Sequence, residues 1–251
     1  MENRPIPTEE LQKRRPIRRL MQNLAKLAFW LLTDLEIEGQ ENFPEKGPLL
    51  MIGNHFSFVD IPAFIRVAPY PIEFIGGAFT PNSPPIFRII PRMYGIIPVY
   101  RGTGAQFGLK EAEKVLKNEG ILAVFPEGGS HGRMLRPARP GPAFLAARTE
   151  ARILPVGLIN MDTVFEKLGK FRREKVKIRI GKPFGPFKSK NRGRDRQELE
   201  EIGQVMMQHI AALIPPDKHG YLSNDPGLRA QVTEFPWLTQ EEGTVETMNR
   251  H

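Results

Sequence analysis

Four short segments carry the residues best suited to chemistry. The first is Met51-Ile-Gly-Asn54-His55-Phe-Ser57-Phe-Val-Asp60, where polar residues follow directly on an apolar run. α/β proteins build their sites at strand ends of this kind. His55 and Asp60 are five residues apart, about 140° around a continuous helix of 3.6 residues per turn. They can meet only if His55 lies in a loop and Asp60 at or near the start of a helix. Ser57 and Asp60 are both suitable helix starters. In contact, Asp60 would fix the imidazole tautomer and stabilise its protonated form. His55 would then be a general base toward a hydroxyl. The competing reading has Asp60 simply capping a helix that begins at Ile61, with His55 as a loop residue.

The second segment, Gly95-Ile-Ile-Pro98-Val-Tyr-Arg101-Gly102, sets an arginine between a strand and a glycine. A guanidinium can hold phosphate through two parallel hydrogen bonds. A solvent-facing arginine at a strand end is the commoner occurrence. The third, Val124-Phe-Pro-Glu127-Gly128-Gly129-Ser130-His131-Gly132-Arg133, ends a strand in a glycine-rich turn. Such a turn can offer backbone N–H groups to an anion. It lacks the Gly-Lys-Ser/Thr of a P-loop, and its glycines equally suit a plain connecting loop. The fourth, Arg152-Ile-Leu-Pro155-Val-Gly157, reads as a buried strand containing a proline.

Composition narrows the setting of these segments. The chain has 251 residues, 40% hydrophobic and 25% charged, enough for one α/β domain or two small ones. Its 23 glycines and 24 prolines argue against an all-helical bundle. The absence of cysteine excludes disulfides, cysteine-bound zinc, iron–sulfur clusters and thiol catalysis. Met1–Glu10 is polar with Pro5 and Pro7, unlike a secretory signal. The longest apolar stretch, Leu24–Leu32, contains Lys26 and is too short to span a membrane as a simple helix.

The net charge of +8 points to anionic partners: nucleic acid, anionic lipid or a phosphorylated substrate. Residues 166–194 hold twelve Lys/Arg against Glu166 and Glu174, whereas 217–251 hold three Lys/Arg and six Asp/Glu. The first run is a candidate docking surface, though charged faces are commonly just solvated.

The pattern of apolar residues predicts the elements that position the four segments. Ile17, Leu20, Met21, Leu24, Leu27, Ala28 and Leu31 recur on one face of an amphipathic helix, with Arg14, Arg15, Arg18 and Arg19 at its start and Phe29 and Trp30 near its end. Such a face can lie in a membrane interface or pack on the domain. Strands are expected over 49–52, 72–75, 96–100, 121–125, 153–159 and 175–180. Helices are expected over 61–68, 107–117, 141–149 and 195–213. The alternation predicts an α/β fold with a mixed, largely parallel sheet flanked by helices. Three regions follow: a basic amphipathic helical segment over 1–34, a domain over 35–216, and a loosely structured acidic tail over 217–251 in which Phe235, Trp237 and Leu238 are docking candidates.

Together and in this order, the four segments resemble the PlsC-type glycerolipid acyltransferase superfamily, over roughly residues 35–185. Asn54, His55 and Asp60 match its Asn-His-x4-Asp block, with Ser57 at the frequent serine. Gly95, Ile97, Pro98, Val99 and Arg101 match Gly-x-Ile-Pro-Val-x-Arg. Phe125–Gly128 match Phe-Pro-Glu-Gly, and Leu154, Pro155 and Val156 match Val/Leu-Pro-Val. One departure concerns the third block, which in the family runs on as Thr-Arg-Ser. Here it runs Gly129-Ser130-His131-Gly132-Arg133, with no arginine at the usual place.

The resemblance implies a glycerol-3-phosphate acyltransferase-like fold with His55 and Asp60 as catalytic residues. Asn54, Ser57, Arg101, Glu127, Gly128, Gly129, Ser130, Arg133 and Pro155 are then substrate-binding candidates. Glu127, which repels phosphate, is expected to accept a hydroxyl or position Arg101. Arg133 is a candidate substitute for the missing arginine. The implied reaction moves a fatty acyl group from acyl-CoA or acyl-carrier protein to the sn-2 hydroxyl of 1-acyl-glycerol 3-phosphate, with no metal and no cofactor beyond the acyl co-substrate. Other lysophospholipids, a glycolipid or glycerol 3-phosphate are alternative acceptors. Peripheral attachment to the cytoplasmic face of an anionic membrane is expected. Two further readings are an inactive acyltransferase-like fold, against which the His55/Asp60 pair stands, and a basic nucleic-acid-binding protein. The latter leaves the four blocks unexplained, and no base-reading motif appears.

Overall fold

A short apolar run forms the centre of the sheet. Leu49–Gly53 (β2) is buried at every position, which only a strand with neighbours on both edges and cover on both faces permits. The computed structural model describes residues 15–77, 93–99, 105–129, 132–189 and 195–233. It places β2 within a seven-stranded sheet of order β1-β7-β6-β2-β5-β3-β4. The other strands are Thr33–Glu38 (β1), Glu73–Gly77 (β3), Ile97–Val99 (β4), Ile121–Val124 (β5), Arg152–Ile159 (β6) and Glu174–Ile180 (β7). Every neighbouring pair is parallel except β6–β7, where Val156 faces Ile180 and Ile159 faces Lys177. This is the mixed, largely parallel sheet that the pattern predicts.

The helices are Arg15–Leu32 (α1), Asp60–Val67 (α2), Ala105–Lys117 (α3), Pro140–Thr149 (α4), Val164–Gly169 (α5), Arg196–Ala211 (α6) and Pro226–Thr233 (α7). The two-residue period of a strand divides the core between two layers of them. Leu50 and Ile52 of β2 join residues of α3, α4 and α6 on one face. Leu49 and Met51 join residues of α1 and α2 on the other.

Three features depart from the sequence reading. Strand β1 was not anticipated, and the expected boundary after residue 34 cuts through it. Its Leu35 and Ile37 alternate with Asp34, Glu36 and Glu38, so it reads as a polar linker until β7 is beside it. As an edge strand it carries charge along its length. Glu36 and Glu38 pair with Lys177, and Glu38 also with Arg179, so part of the basic 166–194 run is neutralised within the sheet.

The acidic tail also differs over its first part. Residues 216–218 and 220–222 form 3-10 turns and α7 follows. Leu135 donates its N–H to Lys218 O and accepts from Tyr221 N, which ties these turns to the domain. Phe235, Trp237 and Leu238 lie outside the described residues.

The third departure is the way α1 sits. It packs through Arg18, Gln22, Ala25 and Phe29, a stripe of helical spacing that begins with two polar residues. The leucine-rich face is turned outward, so of its two expected placements packing on the domain is not taken up. Ile17, Leu20, Leu24, Leu27, Trp30 and Leu31 are all exposed, Trp30 to 70%. Chemistry at the buried stripe explains the choice. The Arg18 guanidinium forms a two-pronged ion pair with Glu73, one arm at 2.6 Å, and donates to the Tyr94 carbonyl at 2.9 Å and to Gly95 O at 3.2 Å. It also lies 5.0 Å from the centroid of the Tyr94 ring. Gln22 donates to Ala68 O at the end of α2.

Arg18→Ala would strand the Glu73 carboxylate and two carbonyls. The expected loss is about 3 kcal/mol, within the range for breaking one side of a buried pair. Urea denaturation reads it directly, and a loss below about 1 kcal/mol, the value of an exposed pair, would show that Arg18 does not latch the helix.

Candidate active site

The site is built where β2 and β5 end side by side. Ile52 faces Val124 in their register, so the chains leaving the two strands start as neighbours. After β2 the chain turns tightly toward α2. Gly53 is required there, because a Cβ would stand 2.6 Å from the Phe64 ring and 2.8 Å from Val156 O. Asn54 follows, fully buried. Its amide donates to Leu158 O at 2.9 Å and its carbonyl accepts from Leu158 N at 2.8 Å. That side chain continues the β2–β6 pairing beyond its last backbone partner, Gly53 opposite Val156. Its polar atoms hold the loop to β6.

The loop then wraps around one carboxylate oxygen. Asp60 Oδ2 accepts from Phe56 N and Ser57 N, each at 2.7 Å, and lies 2.9 Å from His55 Nδ1. The loop-plus-helix-start arrangement required for His55 to meet Asp60 is therefore present. Asp60 opens α2, but Val59 is its cap, so the simple capping reading is set aside. Ser57 Oγ accepts from Val59 N at 3.2 Å and shapes the turn.

Asp60 is completely buried, and that burial pushes its carboxyl above the ordinary range, opposed by His55 and the two backbone donors. Its Oδ2 is held by a fixed cage of donors, whereas Oδ1 is buried without a partner among the described residues. The His55 side chain keeps 12% exposure. Its ring stacks on Phe125 at 4.2 Å, and Phe125 in turn lies 4.8 Å from Phe64. With Nδ1 toward Asp60 and one ring face on Phe125, Nε2 on the opposite edge is the nitrogen left for a reacting group.

Glu127 is engaged with protein donors. Its Oε1 accepts from His55 N at 2.9 Å, and its Oε2 accepts from Arg136 N at 3.2 Å and Arg136 Nε at 3.3 Å. It is buried and holds the His55 backbone. Burial pushes its carboxyl up to about 7 despite the opposing Arg136 charge.

Arg136, which sequence reasoning missed, is itself buried and also donates to Gly129 O. Nothing in the run Arg133-Met-Leu-Arg136-Pro-Ala-Arg139 marks which arginine turns inward. The tail settles it, since Lys218 and Tyr221 grip the backbone of neighbouring Leu135.

The remaining expected residues divide clearly. Gly128 takes a φ of 78° in the turn after Pro126, and its N–H is bonded to Phe125 O. Gly129 follows in the same turn, partly exposed. Arg133 points to solvent with 68% of its side chain exposed, 3.7 Å from Asp162. Pro155 is buried within β6, opposite Ile52, and its carbonyl accepts from Gly181 N just past the end of β7. Its missing N–H falls in the break between the β6–β7 ladder, which ends at Val156 opposite Ile180, and the bridge of Ile153 to Phe184. Arg101 and Ser130 lie outside the described residues.

Comparison with known proteins agrees with this arrangement. The profile of the family described as Acyltransferase matches residues 34–159, which contain His55, Asp60 and Glu127. A 1-acyl-sn-glycerol-3-phosphate acyltransferase of Saccharomyces cerevisiae is 31% identical over 222 residues, covering 81% of this chain and 72% of that protein. One of Borreliella burgdorferi is 28% identical over 152 residues, covering 59% of this chain and 60% of the relative's length. The crystal structure of the 1-acyl-sn-glycerophosphate acyltransferase PlsC from Thermotoga maritima shares the fold. Its TM-score is 0.56 at 24% identity, over 80% of this chain and 82% of that one.

The buried acid gives a test of the site's construction. Raised from an ordinary 4.5 to about 7, Glu127 binds a proton more tightly folded than unfolded. Its contribution to stability therefore falls as pH rises from about 4.5 to 7 and is constant above. In Glu127→Gln this dependence is removed. The stability of the wild type relative to the variant should drop by on the order of 2 kcal/mol between pH 5 and pH 8. Parallel denaturation curves at the two pH values decide it. An unchanged difference would mean that Glu127 titrates normally.

Proposed function

The chain belongs to the acyltransferase family, and on that premise we propose that it transfers a fatty acyl group from a thioester to the free sn-2 hydroxyl of 1-acyl-glycerol 3-phosphate, forming phosphatidic acid. The observation that carries the reading is the His55 Nδ1–Asp60 Oδ2 contact of 2.9 Å, with the His55 backbone held separately by Glu127. His55 and Asp60 are the catalytic residues of this proposal. Asp60 keeps the proton on Nδ1, so Nε2 is free to accept one.

The acceptor hydroxyl gives its proton to His55 Nε2 as its oxygen attacks the thioester carbonyl. The tetrahedral intermediate collapses to an ester. The departing thiolate of coenzyme A or acyl-carrier protein takes the proton back from the imidazolium. The ledger of atoms closes with no acyl-enzyme and no cofactor beyond the acyl donor. Arg101, Ser130 and the Gly128–Gly129 turn are assigned to the acceptor's phosphate end, with the exposed Arg133 as a further candidate cation.

The outward face of α1 supports work at a membrane surface. No described helix is long and apolar enough to cross a membrane. Each leucine-sized side chain left in water forgoes roughly 1.5–3 kcal/mol of burial. Six large apolar side chains on one helix face therefore favour a covering phase, and amphiphilic substrates come from one. Attachment to an anionic, cytoplasmic leaflet is the setting in which the basic excess helps, at about 1 kcal/mol for each Lys or Arg near the surface.

Thiol release from acyl-CoA in the presence of lysophosphatidate tests the chemistry. His55→Ala should reduce turnover by about 10³-fold, within the usual range for a lost general base, and Asp60→Asn should reduce it in the same direction. Activity that survives His55→Ala refutes the general-base assignment. Activity with another lysophospholipid alone would replace the acceptor and keep the mechanism. For the surface, Leu24→Asp with Leu27→Asp should lower sedimentation with anionic vesicles by at least about tenfold, given the area each leucine buries. Unaltered sedimentation would show that α1 is not the membrane face.

A further inference from the structure

The turn between α5 and β7, Lys170-Phe171-Arg172-Arg173, carries an aromatic side chain that nothing in the fold uses. Phe171 is fully exposed, the most exposed large apolar residue among those described. It also takes a φ of 53°, a left-handed conformation that bulky side chains rarely adopt. The turn is closed by backbone bonds from Lys170 N and Arg172 N to Lys167 O and from Phe171 N to Leu168 O, each 3.0 Å. Phe171 is thus held at the tip of a rigid, convex projection. Lys167, Lys170 and Arg172 surround it in the sequence.

The turn is also tied to α1. Arg173 donates to Trp30 O at 2.7 Å and to Thr33 O, which satisfies carbonyls at the helix C-terminus. Thr33 faces Glu174 in the parallel β1–β7 register, so the chain leaves α1 beside the point where it leaves the turn. Because β7 runs antiparallel to β6, the starts of β1 and β7 lie at the same end of the sheet as the ends of β2 and β6. Phe171, the exposed Trp30 and the His55 loop therefore share one end of the molecule.

We propose that this turn is a second lipid-contacting element, with Phe171 inserting into an anionic bilayer beside the outward face of α1. The proposal rests on the reading of α1 as a membrane face and adds a separate point of contact. Three observations favour lipid as the occupant. The projection is convex and presents one aromatic, where a protein partner needs a larger complementary area. An aromatic ring flanked by Lys and Arg suits the headgroup boundary, where ring and cations are each satisfied. The turn is bonded through Arg173 to the C-terminal end of α1, which carries the exposed Trp30. Two contacts would fix the orientation of the domain as well as its attachment, with the His55 end toward the leaflet that holds the acceptor.

The absence of cysteine makes the test direct. The full chain with Phe171→Cys is labelled with an environment-sensitive fluorophore and mixed with vesicles of phosphatidylcholine containing phosphatidylglycerol, some carrying a lipid-chain quencher. The label should shift to the blue and be quenched, and Phe171→Asp should lower vesicle partitioning by about tenfold relative to wild type. Vesicle binding that is lost in the Leu24→Asp/Leu27→Asp variant but unaffected by Phe171→Asp, with an unquenched label, overturns the proposal and leaves the reading of α1 standing. No vesicle binding by the wild type overturns both. A label that responds to acyl-carrier protein and not to vesicles assigns the turn to protein docking and also overturns it.

Discussion

One buried oxygen organises the site. Asp60 Oδ2 accepts two backbone N–H groups and meets the His55 ring, so the loop from Asn54 to Asp60 can close in only one way. Burying a carboxylate is costly unless its charge is matched by donors. That cost makes the arrangement selective: a loop that failed to aim its amides inward would leave a charge in an apolar core. The position of His55 is a consequence of satisfying Asp60. Asn54 and Glu127 then fix the start of the same loop, at residues 54 and 55, against β6 and against the turn after β5. The imidazole is held by the Asp60 carboxylate and by stacking on Phe125, while the His55 backbone N–H is held by the Glu127 carboxylate.

A second buried ion pair stands behind the first. Glu127 and Arg136 are nearly inaccessible, and Arg136 also holds the carbonyl of Gly129. The glycine-rich turn and the histidine loop therefore share one electrostatic support. Residues far along the chain complete it, since Lys218 and Tyr221 fasten Leu135 beside Arg136. Preorganisation of this kind removes motion from the reacting groups before substrate arrives.

The sheet's single antiparallel pairing has a functional consequence. It brings the beginnings of β1 and β7 to the end of the sheet where β2 and β6 finish. The outlet of α1, the Phe171 turn and the His55 loop are collected there by topology alone. The polar latch of Arg18 and Gln22 completes the arrangement by turning the leucine face of α1 outward. An amphipathic helix normally buries its apolar stripe. Here the buried partners are a carboxylate and three carbonyls, which the opposite face alone can satisfy.

By itself, the sequence determined the parts whose signals are local. Apolar runs such as Leu49–Ile52, and the 3.6-residue pattern through Leu199, Ile202, Met206 and Ile210, identify their strand and helix, because period and length are properties of neighbours in the chain. The four ordered blocks carried the family, and the five-residue spacing meant that His55 and Asp60 could meet only across a loop followed by a helix. Three decisions belonged to the tertiary structure. β1 became a strand only with Val176 and Ile178 of β7 beside Leu35 and Ile37. Glu127 became a support for His55 only because Arg136, nine residues on, was turned inward by the tail. The face that α1 presents was set by Glu73 and by the carbonyls of Tyr94, Gly95 and Ala68, tens of residues away. Hydrophobic periodicity records which side chains share a face. Which face turns inward depends on polar partners that only the folded chain brings within reach.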